Sequence, residues 1–331
     1  MTRTRPRPCP DRRRSAFFAL VLAALCFAAF TAETLADYKT AISLFKRQKY
    51  RDALKELQPD VSRNPDWEFG HRLAGLCYFY LKEYDNAIRA FERAVELKST
   101  EPSVFLGLAE SYYQTGKLDQ ALAVLEKGKA SYTKKAELYN YDRIRAFVLY
   151  KQKKFADAAG AVVSAFEHQA GTSQDWLVLG ISYYMTGQDT QARQALSTAL
   201  QMDRSLTSAQ AYLDRLAVRE AETALKSKDY AQARDGFQAI LQQRPDDNAI
   251  RFNLALAEIG LKNWAGAETL LRPMESAYTG SFRYYYFHAY VLENLGKNEE
   301  AEKSYRKALQ INSDPQAKEG LQRVLRRMGK K

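Results

Sequence analysis

One alanine recurs eight times along this 331-residue chain at a nearly constant spacing. The eight copies are Ala53, Ala87, Ala121, Ala158, Ala192, Ala233, Ala267 and Ala301. The steps between them are 34, 34, 37, 34, 41, 34 and 34 residues. A period of that length predicts an array of helical hairpins, each of which is too small to bury its own apolar face and therefore stacks on its neighbours.

A large side chain follows each alanine by four residues. These side chains are Leu57, Phe91, Leu125, Val162, Leu196, Phe237, Leu271 and Tyr305. Residues i and i+4 share one face of a helix, so the small residue lets a neighbouring helix approach while the large one fills the groove beside it. The pattern predicts that both positions are buried in the second helix of every hairpin.

The helix before each alanine has its own signature, which is most complete in the fifth repeat. There Trp176, Leu179, Gly180 and Tyr183 precede Ala192 with the spacing W-x2-L-G-x2-Y. With these motifs in eight registers, the segment from about Leu35 to Pro315 resembles a tetratricopeptide repeat array. The resemblance implies an all-α fold, a right-handed α-solenoid of about eight helix-turn-helix repeats over residues 37–315, which acts as a scaffold or peptide-binding module.

Glycines fit the same frame. Gly75 and Gly180 lie inside first helices, where a glycine costs about 1 kcal/mol relative to alanine, so we expect close backbone approach there. Gly116, Gly187 and Gly296 fall between the two helices of their hairpins. A left-handed turn residue is common at that place.

The two irregular steps predict local insertions. The three extra residues near Thr133 to Lys135 are expected to lengthen a connection between repeats. The seven extra residues follow Thr207, and Thr207-x-x-Gln210 resembles a capping box that opens a helix. Seven residues make about two helical turns, so the first helix of the sixth repeat is expected to be longer by that amount and to project past the edge of the superhelix.

The N-terminal segment predicts export. Six arginines in the first fourteen residues precede fifteen apolar residues, 16–30, which is the layout of a secretory signal and short for a full membrane span. Residues 1–36 are therefore expected to be a signal peptide, with an uncleaved membrane anchor as the alternative. Both place the repeats across the membrane, in a periplasmic, cell-envelope-associated or secreted location.

The C-terminal segment is predicted to be a basic capping helix over residues 316–331. It carries Lys318, Arg323, Arg326, Arg327, Lys330 and Lys331. Apolar residues at helical spacing would face inward and the cations outward. The outer face is then either simply solvated or a contact for anionic lipid headgroups or an acidic partner. Export argues against a nucleic-acid partner, although the chain has a net charge of +11.

No catalytic, metal-binding or cofactor-binding motif is found in the sequence. His71, His168 and His288 lie in different repeats and lack the spacing of metal ligands. Cys77, the single cysteine left after loss of residues 1–36, is interpreted as a small buried side chain. The sequence therefore predicts a protein that is not an enzyme and needs no cofactor.

The resemblance places ligand contacts on the first helices, which line the concave groove of such arrays. The residue after the conserved tyrosine position is aromatic in five successive repeats and is Leu225, Ile259 and Glu293 in the last three. Aromatic anchors with interspersed arginine or lysine are typical of protein interfaces. The predicted partner-binding groove comprises Phe45, Arg72, Phe79, Tyr80, Tyr113, Arg143, Phe147, Tyr150, Lys151, Tyr184, Phe252, Tyr286 and Tyr290.

Three functions remain open at this stage. The favoured one is a noncatalytic adaptor of the cell envelope that holds a peptide or protein segment in the groove, because peptide binding is the usual role of the arrays that this chain resembles. The alternative is a binder of carbohydrate or cell-wall polymer that uses the aromatic rings as a stacking platform. Self-association through the repeat edges is a third, and any single ring can also serve packing alone.

Overall fold

The computed structural model describes residues 35–330, and within that range every regular element is a helix. Sixteen α-helices pair into eight hairpins and a seventeenth follows them. They are α1 (Leu35–Lys46), α2 (Tyr50–Arg63), α3 (Glu68–Tyr80), α4 (Tyr84–Glu96), α5 (Pro102–Gln114), α6 (Leu118–Gly128), α7 (Lys135–Lys151), α8 (Phe155–His168), α9 (Ser173–Met185), α10 (Asp189–Met202), α11 (Thr207–Lys226), α12 (Tyr230–Gln243), α13 (Asn248–Gly260), α14 (Trp264–Leu271), α15 (Phe282–Asn294), α16 (Asn298–Ile311) and α17 (Pro315–Arg327). Short 3₁₀ turns extend α6 over Lys129–Ser131 and α14 over Arg272–Ala277.

The recurring alanine lies at the same place in every hairpin. All eight copies are the fourth residue of a second helix, and each is 0% exposed. The large side chain four residues later is at most 1% exposed in every repeat. The predicted small-then-large packing code is therefore confirmed in all eight hairpins.

Two glycines mark the tightest helix crossings. A Cβ atom on Gly75 would lie 2.6 Å from Cδ1 of Phe91, and one on Gly180 would lie 2.7 Å from Cγ of Leu196. Both distances are too short for carbon atoms, so only glycine lets the large residue of the second helix reach the first helix at these points. Close approach outweighs the helix propensity lost by glycine.

The turn inside each hairpin has one conformation. The residue five positions before every recurring alanine has a positive φ, which is 73–78° at Gly116, Gly187 and Gly296. The equivalent residue is not glycine in the other five hairpins, and its φ lies between 61° and 65°: Gln48, Lys82, Lys153, Lys228 and Lys262. In all eight, its N–H donates to the carbonyl of the penultimate residue of the first helix at 2.9–3.2 Å. This bond fixes where each first helix ends.

Both insertions lengthen a first helix. The usual first helix has 13 residues, whereas α11 has 20, as predicted for the sixth repeat. The helix α7 has 17 residues, so the prediction that the extra residues near Thr133 lengthen a connection is wrong. The carboxylate of Glu137 accepts the N–H groups of Thr133 and Lys134 at 3.0 and 3.1 Å, which caps the chain early and lets the helix begin at Lys135.

The hairpins form two compact units, each a stack of helices in the manner of an α-solenoid. Unit 1 ends at Ala209 and contains the first five hairpins. Unit 2 begins at Gln210, inside α11, and contains the remaining hairpins and α17. Of the N-terminal segment predicted to direct export, residues 1–34 lie outside the described residues.

Candidate functional site

The eight predicted groove positions are structurally equivalent. Each is the penultimate residue of a first helix, and its carbonyl accepts the N–H of the left-handed turn residue. The hairpin geometry therefore holds these side chains in one register. What differs between repeats is the side chain and the neighbours that cover it.

In unit 1 a series of rings at or near this position stays half-buried. We call these side chains the aromatic row: Phe79, Tyr113, Phe147, Tyr150 and Tyr184. They belong to the first helices of the second to fifth hairpins, α3, α5, α7 and α9. Each ring is thus braced on one side by the protein and reachable from the other.

The third and fourth hairpins contribute the best-defined part of the row. The ring of Tyr113 meets that of Phe147 edge to face, with centroids 6.3 Å apart and an interplanar angle of 88°. The guanidinium carbon of Arg143 lies 4.8 Å from the centroid of Phe147, one turn away on the same helix. Tyr150 packs edge to face on Phe155 at 5.9 Å. These contacts place a cation among rings.

Arg143 is held by a buried carboxylate. Its Nε lies 3.0 Å from Oδ1 of Asp175, a residue of α9 that is 1% exposed. The hydroxyl of Tyr139 donates to Oδ2 of the same carboxylate at 2.6 Å, and the backbone N–H of Thr172 donates to it at 2.7 Å. With about 31% of its side chain exposed, Arg143 keeps a fixed direction and still reaches the surface.

Local charges act on the tyrosines of this region. Burial and the neighbouring Glu110 raise the pKa of Tyr113, while the charge of Arg143 partly offsets them. Burial and the same Glu110 also raise the pKa of Tyr84, whose ring meets that of Phe79 edge to face at 6.1 Å. Both phenols are therefore neutral hydrogen-bonding groups at physiological pH.

Three predicted groove residues are buried, so their assignment to an exposed surface is wrong. Phe45 is 1% exposed because Tyr50 and Tyr80 pack on it, with ring centroids at 5.5 and 5.8 Å. Arg72 is covered as well, since it lies 5.1 Å from the ring of Phe69. Its Nη1 lies 2.8 Å from a carboxylate oxygen of Glu101 in the next repeat.

The third of these residues, Phe252, lies in unit 2. Its ring stacks on Tyr278 at 5.9 Å and meets Phe287 at 6.3 Å, while the guanidinium of Arg283 lies 5.3 Å from its centroid. These neighbours leave the ring buried. Phe252 therefore braces two repeats.

Two further predicted residues of unit 1 have distinct surroundings. Tyr80 is half-buried and stacks face to face on Tyr50, with centroids 5.0 Å apart and an angle of 14°. Burial raises its pKa. Lys151 is exposed at the end of α7. The structure thus brings Lys151 beside the row but directs Tyr80 toward the first hairpin.

In unit 2 the predicted residues contact other parts of the same unit. Tyr286 stacks on Phe282 at 5.8 Å, and its hydroxyl lies 3.3 Å from the amide oxygen of Gln316 in α17. Tyr290 meets Trp264 edge to face at 5.6 Å. Both rings are half-buried, but they are used to join hairpins and the last helix.

Glu293 shows the strongest difference from the sequence prediction. It is the penultimate residue of its first helix, the position at which the resemblance places a groove residue, yet it is 4% exposed. Its carboxylate accepts from the hydroxyl of Tyr305 at 2.7 Å and from Nε of Arg323 at 2.9 Å. Its carbonyl accepts from Arg327 at 3.2 Å. This buried carboxylate docks α17 on the last hairpin and is not a groove residue.

Glu293 also pairs with cations of the basic C-terminal helix. Arg323 and Arg327 turn toward it, and Nζ of Lys330 lies 2.8 Å from the carboxylate of Glu302. Lys318 and Arg326 are exposed. Many of the cations that suggested an outward basic face are therefore engaged within unit 2.

The described residues contain neither a group of metal ligands nor an exposed cysteine thiol. Within 35–330, no three histidine, cysteine, aspartate or glutamate side chains are grouped to hold a metal ion. Cys77 is buried, and burial raises the pKa of its thiol to about 12, so it is not a thiolate at neutral pH. No helix in the same range is long and apolar enough to cross a membrane.

Sequence reasoning missed Asp175, Glu110 and Tyr84. The first has a readable signal, because Thr172-x-x-Asp175 is a capping box at the start of α9. Its second task, holding Arg143 of the preceding repeat, depends on the distance between two helices. The other two lie next to the row only through the stacking of hairpins.

Comparison with known proteins agrees with this architecture. Models described as tetratricopeptide repeat match residues 38–102, 78–140, 224–291 and 282–315. Together they cover more than half of the chain and include hairpins of both units.

Individual relatives are distant. A TPR repeat-containing protein of Methanocaldococcus jannaschii is 27% identical over 179 residues, which are 50% of this chain and 30% of that protein. The BBSome complex member BBS4 of Bos taurus is 24% identical over 275 residues, 83% of this chain and 51% of that protein. The chain thus spans at most about half the length of these curated relatives.

Two solved structures are similar to this chain. A structure of Naa15/Naa10 bound to HypK-THB has a TM-score of 0.50 at 15% identity, covering 85% of this chain and 43% of that one. The C-terminal part of a TPR repeat-containing protein of Cytophaga hutchinsonii has a TM-score of 0.44 at 14% identity, covering 86% of this chain and 99% of that one.

Proposed function

Because the chain belongs to the tetratricopeptide repeat family, whose members generally mediate protein–protein interactions, we propose that it is a noncatalytic scaffold that binds a segment of a protein partner. The binding surface is the aromatic row of unit 1 together with Arg143. A peptide or an exposed segment of a folded protein lies across the first helices of the second to fifth hairpins.

The observation that carries this proposal is the repetition of a half-buried ring at one register in four successive hairpins. Rings of the row are already held within the protein, for example Tyr113 by Phe147 of the next repeat and Tyr150 by Phe155 of its own repeat. Ordering such a ring on binding costs little further entropy, and large rings bury much apolar area. Pre-positioned rings of this kind are typical anchors of protein interfaces.

Arg143 supplies the polar part of the surface. Asp175 and Phe147 fix its guanidinium at 3.0 and 4.8 Å, so its direction is set before a partner arrives. Its stacking on Phe147 also covers one face of that ring. A sugar needs an open ring face to stack on, so this arrangement favours a protein segment over the carbohydrate alternative.

The cellular location is part of the proposal. The basic and apolar layout of residues 1–36 supports export to the cell envelope, where the scaffold would hold its partner. The six arginines of the predicted signal lie outside the repeats.

The test is capture of the partner from envelope extract, comparing the chain with a variant that carries Phe79→Ala, Tyr113→Ala and Tyr150→Ala. We expect the captured partner to be lost, because hot-spot rings contribute about 2 kcal/mol or more each, roughly thirty-fold in affinity. Circular dichroism of both proteins checks that the helices persist.

The matched control removes three half-buried rings from unit 2, with Phe282→Ala, Tyr286→Ala and Tyr290→Ala. It should retain the partner. Retention of the partner by the unit 1 variant would rule out the aromatic row as the binding surface. Retention of purified cell-wall glycan, with no protein captured, would favour the carbohydrate alternative.

A further inference from the structure

A set of unpaired cations lies at the turns between the two helices in the first four hairpins of unit 1. We call it the hairpin-tip edge. Its members are Lys46, Arg47, Lys49, Lys82, Lys117, Lys151, Lys153 and Lys154. All eight are exposed, and none forms an ion pair with another described residue.

Neighbouring tips lie side by side. An Nη of Arg51, at the first tip, lies 3.2 Å from a carboxylate oxygen of Glu83 at the second. The side-chain amide of Gln152, at the fourth tip, donates to Asp119 at the third at 2.8 Å. The first tip is thus adjacent to the second and the third to the fourth, so the cations of each pair act together on anything that approaches them.

On the opposite edge of the same unit, more of the cations are paired with carboxylates. There several cations at the connections between repeats are paired with carboxylates, as Arg93 is with Asp66 and Arg143 with Asp175, while Lys98, Lys127 and Lys135 are exposed. Arg63, Arg72, Lys129 and Lys134 are paired in the same way. Free positive charge is thus concentrated on the tip side.

Acidic residues near the tips offset only part of this charge. They are Asp52, Glu83, Asp85, Asp119 and Asp157, at or next to the starts of second helices. The carboxylate of Glu83 is already engaged by Arg51. The eight unpaired cations outnumber these acids, so the edge is net positive.

The hairpin tips of unit 2 carry fewer exposed cations. Its tips carry Lys226, Lys228 and Lys262 as exposed cations, while Lys297 lies 3.3 Å from Glu268. Its C-terminal helix uses Arg323 and Arg327 internally. The largest set of unpaired cations at hairpin tips in residues 35–330 therefore lies on unit 1.

We propose that the hairpin-tip edge of unit 1 docks on an anionic membrane surface. Seven of its eight cations are lysines. A lysine ammonium is a hydrated point charge on a flexible stem, which suits diffuse attraction to mobile headgroups better than the bidentate recognition that arginine provides. The apolar run 16–30 precedes this same unit by a few residues, so unit 1 is the part of the chain brought to a membrane during export or held there afterwards.

The test is sedimentation of the full chain with lipid vesicles. One variant carries Lys46→Gln, Lys82→Gln, Lys153→Gln and Lys154→Gln. Glutamine suits the left-handed turn, since Gln48 adopts φ 62° at the equivalent place. The control removes four exposed cations elsewhere, with Lys127→Gln, Lys303→Gln, Lys318→Gln and Arg326→Gln. All proteins keep the same N-terminal arginines, so the comparison isolates the edge.

With vesicles of phosphatidylglycerol mixed into phosphatidylcholine, we expect the tip variant to bind at least about ten-fold more weakly than the unchanged chain. The control should lose less than about three-fold. Equal losses in the two variants would overturn the proposal, as would equal binding of the unchanged chain to pure phosphatidylcholine. Equal vesicle binding by the two variants, with binding to polyglutamate or DNA lost in the tip variant alone, would instead assign the edge to an acidic protein or a nucleic acid.

Discussion

Unit 1 and unit 2 use the same helix position for different purposes. In four of the five hairpins of unit 1 the penultimate residue of the first helix is a half-buried ring, as at Tyr113 and Tyr150. In unit 2 it is Leu225, Ile259 and finally Glu293, which is buried under α17. Backbone register is equal in the two units, so neighbouring helices decide whether a side chain is available to a partner.

The largest loss of stability should come from removing Asp175, the buried carboxylate that pairs with Arg143 in unit 1. Asp175→Ala leaves Arg143, Tyr139 and the N-terminus of α9 without their acceptor, and we expect about 3 kcal/mol less stability in unit 1. Partner binding should weaken as well, because Arg143 loses its fixed direction. Hydrogen exchange of amides in α7 and α9 measures the stability, since repeat arrays need not unfold as one unit.

Asp157→Ala on α8 is the control, because this exposed carboxylate lies at a helix start with no described side-chain partner. It should change stability by about 0.5 kcal/mol or less. If Asp175→Ala had an equally small effect, Arg143 would not be held by that carboxylate.

A smaller loss of stability is expected from neutralising Glu293, the buried carboxylate of unit 2. Glu293→Gln keeps the shape but removes the charge opposite Arg323, so we expect about 2 kcal/mol less stability in α16 and α17. Partner capture by unit 1 should be unchanged. Glu319→Gln, which removes an exposed partner of the same arginine, should change stability by less than about 1 kcal/mol.

The same carboxylate predicts a pH dependence. Burial raises the pKa of Glu293, but hydrogen bonds from Arg323 and Tyr305 and the nearby guanidinium charges outweigh it, so the pKa lies below its ordinary value of 4.5. The stabilising contribution is therefore full above about pH 4.5 and is lost as the pH falls below it. Exchange in α17 should accelerate in acid, and Glu293→Gln should reduce that acceleration.

The hairpin turns provide a test in which the two units should agree. Gly116→Ala in unit 1 and Gly296→Ala in unit 2 place a Cβ at a φ of 78° and 73°. Each should cost about 1 kcal/mol, because the left-handed conformation is unfavourable for alanine. Thermal unfolding of the two variants measures this. Unequal losses would show that the shared turn geometry does not set the local stability.

A histidine makes unit 2 sensitive to milder acid. Burial lowers the pKa of His288 below its ordinary value of 6.5, although Glu275, Glu268 and Glu300 partly oppose this. The unfolded chain takes up the proton first, so stability is full above about pH 6.5 and falls as the pH drops toward the lower folded pKa. His288→Phe should flatten this change in exchange measurements on α15. An unchanged pH profile in the variant would exclude His288 as its source.

Much of the scaffold is predictable from the sequence. The alanine and its large partner describe a contact inside one hairpin, and such contacts repeat with the chain, so eight registers support one another. Gly75 and Gly180 are predictable for the same reason. The exposure of a ring is harder to predict, because Phe45 and Tyr113 occupy equivalent positions but Tyr50 and Tyr80 cover only the former.

Charge was the least predictable property. The sequence places six cations in the last sixteen residues and suggests a basic outer face there. The structure joins Arg323 and Arg327 to Glu293, a residue about thirty positions earlier. Lysines that are scattered along the sequence at Lys46, Lys82 and Lys153 lie instead at the corresponding turns of their hairpins. Pairing across repeats depends on side-chain reach between helices, which no local pattern records.

The two lengthened helices show which insertions this fold can accept during evolution. An α-helix turns by about 100° per residue, so the seven additional residues of α11 return its apolar face to within about 20° of its former direction. The four additional residues of α7 leave an offset of about 40°. Both lengths come close to whole turns, so the buried face still meets the following helix. An insertion of two or five residues would turn that face away, and such chains would be removed by selection.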